Sequence, residues 1–204
     1  MITIIDYGAG NIGSIVNMIR KVGSEAKVSS NKEDILSAEK LILPGVGSFD
    51  YGMQKLQDSD LIEVINKKVL QDKTPILGIC LGVQLMTQKS EEGNLKGLGW
   101  FDADTVKFTL DPKERLKIPH MGWNDVTCVN GSKLFKDMKE QPRFYFVHSY
   151  HLKSKKEDEV LVESVYGYKF AAGLEKDNIV GVQFHPEKSH KYGMKILENF
   201  IKYY

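Results

Sequence analysis

The sequence predicts an α/β fold around a mixed, mostly parallel sheet, and two patterns favour this class. Over roughly the first ninety residues, short apolar runs alternate with amphipathic stretches, as in βαβ units whose helices cover both faces of a parallel sheet. In the second half the apolar runs lie closer together, and turns of a few residues separate the last three. Such short turns predict antiparallel neighbours.

The first half contains the alternating strands and helices. Its predicted strands lie at residues 2–6, 25–29, 40–43 and 75–79. Its predicted helices lie at residues 12–22 and 61–69, where apolar residues recur at helical spacing. The third strand must end in a loop at Pro44–Gly47, because proline and glycine cannot continue a strand ladder. The fourth strand runs directly into the apolar segment 81–86, so a strand must turn sharply into a helix there.

The second half supplies the strands of the antiparallel portion. They are predicted at residues 105–108, 125–129, 144–148, 160–166, 170–175 and 179–184. A final helix is expected over residues 192–201, with Ser189 as its N-cap. We expect residues 1–204 to form a single domain, since no linker or internal repeat interrupts the pattern.

Composition excludes several classes of protein. The 204 residues carry a net charge of +1 and are 42% hydrophobic, which argues against disorder, nucleic-acid binding and an acidic tail. The longest mostly apolar run, residues 75–86, is too short to span a membrane, and the first residues lack an export signal. Cys80 and Cys128 are too isolated for a disulfide scaffold or a zinc site. We therefore expect a soluble, cytoplasmic protein.

Cys80 occupies the turn at which the fourth strand becomes a helix, and glycines lie two residues before and after it. Small residues at these positions are typical of a nucleophile elbow, a strained turn that leaves the central side chain exposed at the sheet edge. The first N–H groups of a helix favour an anion, which would promote a reactive thiolate. The alternative is a buried, unreactive cysteine, which is our interpretation of Cys128.

A thiolate needs a base that carries its proton to the leaving amine, and His185 is the best placed of the five histidines. It stands at the end of the last strand. In an extended chain, residues two apart point the same way, so Glu187 can reach the imidazole, and Pro186 favours that geometry. Cys80, His185 and Glu187 therefore form a candidate triad of nucleophile, base and orienting carboxylate.

Two other patterns suggest different functions. Residues 8–13 match the GxGxxG fingerprint of dinucleotide-binding proteins, between a strand and a helix. The acidic residue that would bind the ribose is missing from residues 28–31, so a non-enzymatic dinucleotide-binding module is a distant alternative, and the loop could instead form a contact surface. His148 and His151 could bind a metal, but no carboxylate or thiol stands at a suitable spacing. We predict no metal site.

Seven segments, in order, resemble the class I (triad) glutamine amidotransferases over nearly the whole chain. They are IIDYGAGN, LILPGVGSFD, GICLGVQLM, SEEG followed by GLG, PHMGWN, FYFVHSY and GVQFHPEKS. The resemblance implies a flavodoxin-like fold, with helices on both faces of a mostly parallel central sheet and an antiparallel C-terminal portion. It also implies a glutaminase that hydrolyses glutamine through a cysteine thioester, releases ammonia, and needs no cofactor.

The resemblance implies roles for residues outside the triad. The Pro44–Gly47 loop would supply the oxyanion hole, and its glycines would let the Val46 peptide reorient when a partner binds. By role, the implied residues are Val46, Gly47 and Leu81 for the oxyanion hole, Gly47, Gln84, His148, Ser149 and Tyr150 for the glutamine pocket, and Asn11, Trp123, Tyr145 and Lys188 for the partner interface. For Trp123 and Tyr145, burial in the core is the alternative.

The resemblance also implies a partner. Once the glutaminase fold is accounted for, few residues remain for a second catalytic domain, so another chain should accept the ammonia. In the family this partner is a synthase subunit with a (β/α)8-barrel fold, which forms a heterodimer with the glutaminase. A protected channel is expected between the two chains, since ammonia released into water would be protonated and unreactive.

The identity of the ammonia acceptor stays open between two branches of the family. The segments are most similar to the branch that serves histidine biosynthesis, where ammonia is added to a ribonucleotide precursor. His151 and the segment Ser189–Lys191 depart from that branch. They resemble a paralogous branch that supplies ammonia for the amidation of surface-polysaccharide sugars.

Overall fold

A computed structural model describes residues 1–138 and 141–204 of the chain. The strands are β1 (Ile2–Ile5), β2 (Ala26–Ser29), β3 (Lys40–Leu43), β4 (Ile76–Ile79), β5 (Ala103–Lys107), β6 (His120–Cys128), β7 (Arg143–His148), β8 (Tyr150–Ser154), β9 (Val160–Tyr166), β10 (Tyr168–Lys176) and β11 (Ile179–Val182). The helices are α1 (Ile12–Lys21), α2 (Lys32–Leu36), α3 (Phe49–Asp58), α4 (Ile62–Asn66), α5 (Leu81–Leu85) and α6 (His190–Tyr203).

The described strands form one mixed sheet in the order β2-β1-β3-β4-β11-β10-β9-β6-β7. Neighbours from β2 to β11 are parallel, and neighbours from β11 to β7 are antiparallel. β8 adds to β10, and β5 adds to β8, both antiparallel. The predicted α/β class is confirmed, including the antiparallel arrangement of the last three predicted strands.

Strand β1 illustrates how the parallel half is covered on both faces. Ile4 lies in the core that contains Ile15 of α1 and Phe200 of α6. The next residue, Ile5, lies in the core that contains Leu56 of α3. Because successive side chains of a strand point to opposite faces, a fully buried strand requires a helical layer on each side.

Parallel strands bring their carboxyl ends to one edge of the sheet, and the candidate catalytic segments lie at that edge. The Pro44–Gly47 loop follows β3, Cys80 follows β4, and His185 follows β11. β4 lies between β3 and β11 in the sheet, so Cys80 has the loop on one side and His185 on the other. Ligands of open α/β sheets bind at this edge.

Several elements differ from the sequence predictions. The sequence does not predict α2, α3 or β8. Helix α3 carries Gly52 near its centre, and a Cβ there would lie only 2.9 Å from Leu81 Cδ2. Close packing therefore favours glycine at this position, although glycine has a low helix propensity and weakens the sequence pattern of a helix. The helix predicted over 61–69 is α4 followed by a π-helical turn at Lys67–Gln71. Among the described helices, none has the length and apolar composition needed to cross a membrane.

Ser189 is the N-cap residue of α6, as predicted, but its hydroxyl makes no capping hydrogen bond. Its Oγ accepts the Tyr145 N–H at 3.0 Å and donates to the His185 carbonyl at 2.6 Å. The hydroxyl is occupied by these two partners, so it joins β7 to the segment that carries His185.

Candidate active site

Cys80 lies in a sharp turn between β4 and α5. Its φ of +53° is one that residues with a Cβ rarely adopt. A Cβ on Gly82 would lie 1.9 Å from the Leu43 carbonyl oxygen, and one on Gly78 would lie 2.9 Å from the Val83 nitrogen. Glycine is therefore required on both sides, and the predicted strand-to-helix turn is present.

His185 and Glu187 form a buried hydrogen-bonded pair. Nδ1 of His185 lies 2.7 Å from Oε1 of Glu187, and both side chains are almost fully buried. Since a carboxylate only accepts, Nδ1 carries the proton. The contact is as expected, and His185 is extended as predicted, but the segment does not stay extended as far as Glu187, because Pro186–Lys188 forms a 3₁₀ turn. Proline fixes a φ that suits the first position of a helical turn.

The second ring nitrogen of His185, Nε2, is buried without a hydrogen-bond partner among the described residues. His185 and Cys80 line the same cavity. Burial lowers the pKa of His185, but the charge of Cys80 and the Glu187 carboxylate outweigh this effect and raise the pKa to about 10. An imidazolium is therefore stable at His185, where it can donate a proton to a leaving group in the cavity.

The Pro44–Gly47 loop is fixed at its start and free at its end. The Tyr7 hydroxyl donates to the Pro44 carbonyl at 2.7 Å. Val46, in contrast, is 41% exposed, and Gly47 has a φ of +106°. Within the described part of the chain, neither the Val46 nor the Gly47 N–H makes a hydrogen bond. Both N–H groups are therefore available to a ligand.

A cavity of about 370 Å³ opens above Cys80. It is enclosed by the Pro44–Gly47 loop, the cysteine turn, the connection between β7 and β8, and His185. Its lining includes every residue predicted for the oxyanion hole and the glutamine pocket, namely Val46, Gly47, Leu81, Gln84, His148, Ser149 and Tyr150. A cavity of this size takes a small metabolite.

Gln84 is oriented within the cavity by two hydrogen bonds. Its Nε2 donates to the Tyr150 carbonyl at 3.2 Å and to Gln183 Oε1 at 3.0 Å. The amide nitrogen of Gln183 lies 3.9 Å from Cys80 Sγ. Because both N–H bonds of Gln84 are used, its Oε1 is the atom left for a ligand, and that atom only accepts.

Three residues of the cavity lining, Glu92, Pro119 and Val147, are missing from the sequence predictions. Oε2 of Glu92 accepts the Phe49 N–H at 2.8 Å, at the start of α3 and 43 residues away in the chain. The SEEG segment containing Glu92 is the only sequence signal for it. With Gln84 Oε1, the Glu92 carboxylate gives the cavity acceptor groups suited to an ammonium ion.

Three of the four residues predicted at a partner interface lie in one cluster. The rings of Trp123 and Tyr145 meet edge to face, with centroids 6.4 Å apart, and Lys188 Nζ lies 5.6 Å from the Tyr145 centroid. Trp123 also stacks on His190 and is 41% exposed, so it is not a core residue. Asn11, the fourth residue, lies immediately before α1.

The loop of residues 8–13 packs against a neighbouring segment, and Cys128 lies at the surface. A Cβ on Gly10 would lie 3.1 Å from the Pro44 ring, so the loop forms a contact surface for the neighbouring segment. The prediction that Cys128 lies in the core is wrong, because its side chain is exposed. Among the described residues, the pairing of β7 with β6 ends at Asp125, before Cys128 is reached.

His148 and His151 make hydrogen bonds within the protein. Nε2 of His148 lies 2.9 Å from His120 Nδ1, and its Nδ1 lies 2.8 Å from the Tyr150 carbonyl. Nε2 of His151 lies 2.9 Å from the Tyr168 hydroxyl. Across residues 1–138 and 141–204, no group of three or more histidine, cysteine, aspartate or glutamate side chains is placed to hold a metal ion.

Known proteins match the chain over its whole length. The model of the family "Glutamine amidotransferase class-I" matches residues 3–203. The chain is 57% identical over 202 residues to imidazole glycerol phosphate synthase subunit HisH 2 of Methanococcus maripaludis, covering 99% of each. It is 47% identical over 207 residues to subunit HisH 1 of the same organism, and 50% identical over 202 residues to subunit HisH 2 of Pseudomonas aeruginosa, with 99% of each chain covered in both cases.

Solved structures share the fold at lower sequence identity. The structure of PurLQS from Thermotoga maritima superposes with a TM-score of 0.71 at 20% identity, covering 99% of this chain and 97% of that one. The glutaminase domain of Trypanosoma brucei CTPS gives a TM-score of 0.65 at 16% identity, covering 98% and 93%.

Proposed function

The chain belongs to the class I glutamine amidotransferases, and we propose that it is the glutaminase subunit of an imidazole glycerol phosphate synthase, in histidine biosynthesis. The pathway assignment is supported by 57% identity over 99% of both chains to a relative of that name. The observation that carries the chemistry is the cysteine turn facing a buried imidazole whose Nδ1 is held by Glu187.

Cys80, His185 and Glu187 are the proposed catalytic residues. Sγ of Cys80 attacks the carboxamide carbon of glutamine, a C–S bond forms, and the C–N bond breaks as the His185 imidazolium gives its proton to the leaving nitrogen. Water then attacks the thioester carbon as His185 takes its proton, a C–O bond forms, the C–S bond breaks to return the Cys80 sulfur, and glutamate leaves. The sum is glutamine plus water to glutamate plus ammonia. Glu187 fixes the imidazole with Nε2 free for these transfers.

The proposed oxyanion hole combines the Leu81 N–H, at the start of α5, with the N–H groups of Val46 and Gly47. A single donor of this kind stabilises a transition state by about 3 kcal/mol. The φ of +106° at Gly47 supports a reorientation of the Val46–Gly47 peptide, since glycine tolerates both senses of φ. If the competent orientation is thinly populated, the isolated chain will be a slow glutaminase.

The proposed glutamine pocket lies between Glu92 and the connection of β7 to β8. The Glu92 carboxylate and Gln84 Oε1 are suited to the α-ammonium group of glutamine. His148, Ser149 and Tyr150 line the other side of the cavity, and Gly47 completes the pocket beside Cys80.

The proposed partner is the synthase subunit, which folds as a (β/α)8 barrel and adds the ammonia to a ribulosyl-formimino carboxamide ribonucleotide. The exposed indole of Trp123, with Tyr145 and Lys188, supports an interface on that face, and Asn11 is assigned to it by resemblance. Residues 1–204 would form one glutaminase domain in this complex. We place the complex in the cytoplasm, where the free thiol that the mechanism needs stays reduced.

A second candidate keeps the chemistry and changes the acceptor to a surface-polysaccharide sugar. Methanococcus maripaludis has two relatives with the same subunit name, at 57% and 47% identity to this chain. A duplicated subunit is free to serve another acceptor. Of the residues that depart from the histidine branch, His190 stacks on Trp123 in the proposed interface, so it is placed to affect the choice of partner.

The test has two parts. Cys80→Ser is expected to abolish glutamate release while the variant still binds its synthase, and Cys128→Ser, at the exposed thiol, serves as the matched control with unchanged turnover. Glutamine hydrolysis that survives in Cys80→Ser would refute the mechanism. Mixing the chain with each candidate synthase and its substrate, and measuring which one raises glutamine turnover, separates the two acceptors.

A further inference from the structure

Four polar groups form a continuous hydrogen-bonded chain from β6 to the cavity. Nδ2 of Asn124 lies 3.2 Å from His120 Nε2, and His120 Nδ1 lies 2.9 Å from His148 Nε2. His148 Nδ1 lies 2.8 Å from the Tyr150 carbonyl oxygen, which also accepts from Gln84. His120 has no role in the mechanism proposed above.

The groups at both ends of this hydrogen-bonded chain fix which atom donates and which accepts along it. At one end the Asn124 amide cannot turn over, because its Nδ2 donates to the Val165 carbonyl at 2.8 Å and its Oδ1 accepts the Asp125 N–H at 2.9 Å. At the other end the Tyr150 carbonyl only accepts, so His148 must carry its proton on Nδ1.

The two histidines between these ends therefore have one consistent arrangement. His148 Nε2 accepts from His120 Nδ1–H, and His120 Nε2 accepts from Asn124. Both imidazoles are neutral and protonated on Nδ1, which is the minor neutral form of free histidine. Burial lowers the pKa of His120 to about 4 and that of His148 to about 3, in agreement with neutral rings.

Packing holds the His120 ring in this orientation. It stacks on Tyr166 with centroids 4.0 Å apart and on Phe146 at 4.8 Å, both with interplanar angles of 23°. Because these two rings pack against the His120 ring, its nitrogens stay directed at His148 and Asn124.

We infer that His120 is a positioning residue for glutamine binding. By donating to His148 it keeps His148 Nδ1–H on the Tyr150 carbonyl, and that carbonyl in turn holds Gln84 with Oε1 left for the substrate. Without the His120 donor, His148 is free to change tautomer, release the carbonyl and loosen the connection that lines the cavity. This inference rests on the proposed function.

The first test reads the tautomers directly and needs no activity. In the wild-type protein labelled with ¹⁵N-histidine, two-bond ¹⁵N–¹H correlation spectra at pH 7.5 distinguish rings protonated on Nδ1 from those protonated on Nε2. We expect Nδ1 protonation at both His120 and His148, assigned by loss of each signal in its own variant. Nε2 protonation at either ring overturns the inference, whether or not the protein hydrolyses glutamine.

The second test separates positioning from packing by two opposite substitutions. His120→Phe keeps the aromatic contacts and removes the donor, whereas His120→Asn loses the stacking but places an amide N–H near the position of Nδ1. In the complex with the synthase subunit, we expect KM for glutamine to rise about tenfold in His120→Phe and to stay within about threefold of wild type in His120→Asn, with kcat little changed in both. A purely structural role predicts the reverse order.

His151→Phe is the matched control, since His151, like His120, is buried and hydrogen-bonded, but it is not part of the hydrogen-bonded chain from Asn124 to Tyr150. It should destabilise the protein without raising KM. An unchanged KM in His120→Phe, or an equal rise in His151→Phe, would overturn the inference. Absence of glutamine hydrolysis in the wild-type complex would instead refute the proposed function, while the tautomer measurement would still decide the inference.

Discussion

The backbone conformation of Cys80 predicts an inverted order of stability between two replacements. At most positions, alanine is more stabilising than glycine, because glycine loses more conformational freedom on folding. At Cys80, with φ at +53°, any residue with a Cβ is strained. We therefore expect Cys80→Gly to be more stable than Cys80→Ala.

The magnitude follows from two opposing contributions. A residue held in a sparsely populated backbone region at a functional site costs of order 1–3 kcal/mol, and glycine relieves most of that strain. The greater conformational entropy that glycine loses on folding offsets roughly 0.5–1 kcal/mol of this gain. The net difference in unfolding free energy is about 1 kcal/mol in favour of glycine, equivalent to about 2–4 °C in Tm for a chain of this size.

The assay is urea-induced unfolding of the two Cys80 variants beside the same pair at Cys128. Cys128 lies in β6 with a negative φ and an exposed side chain, so there alanine should be the more stable by roughly 0.5–1 kcal/mol. The difference in unfolding free energy between the alanine and glycine variants should therefore have opposite signs at the two cysteines. Alanine more stable than glycine at both positions would show that the turn at Cys80 stores no strain.

Three further predictions concern the cavity and its surroundings. Gly82→Ala should cost at least about 3 kcal/mol of stability and most of the activity, since its Cβ would meet a backbone oxygen at 1.9 Å; Gly13→Ala, with no atom within 4 Å of the new Cβ, should be neutral or stabilising in the same unfolding assay. Glu187→Gln should lower kcat by about 10³–10⁴ with KM for glutamine little changed, because an amide can present its N–H to His185 and favour the wrong tautomer; a kcat within tenfold of wild type would contradict this. Finally, the pKa of His148 is lowered from 6.5 to about 3 in the folded protein, so below pH 6.5 the unfolded state binds more protons and stability falls as pH decreases. Between pH 7.5 and pH 5, the unfolding free energy of the wild type in urea should fall by about 2 kcal/mol more than that of His148→Phe. Equal losses would refute the buried neutral ring.

The sequence predicts those parts of the site that depend on local chain geometry. The glycines around Cys80 and the Pro44–Gly47 loop stand out because only such residues fit a tight turn, and the structure finds a required glycine at position 82. The contact between His185 and Glu187 is also local, although the backbone reaches it through a 3₁₀ turn.

The parts that sequence reasoning misses depend on contacts between distant segments. Glu92 enters the cavity through a hydrogen bond to a residue 43 positions away, and no periodicity or spacing encodes that contact. The donor and acceptor order of the hydrogen bonds through His120 likewise depends on the bond from Asn124 to the Val165 carbonyl, 41 residues away. Helix α3 escapes prediction for a related reason, since Gly52 serves packing against Leu81 at the expense of helix propensity.

The unequal exposure of the two thiols gives the protein a built-in reporter. Cys128 is open to solvent, whereas Cys80 is 7% exposed and faces the cavity. A small, unselective alkylating reagent should reach both thiols, while an electrophile with the shape of glutamine should favour the enclosed one. The ratio of the two adducts, read by mass spectrometry, would then follow changes in cavity shape, with the outer cysteine as internal standard.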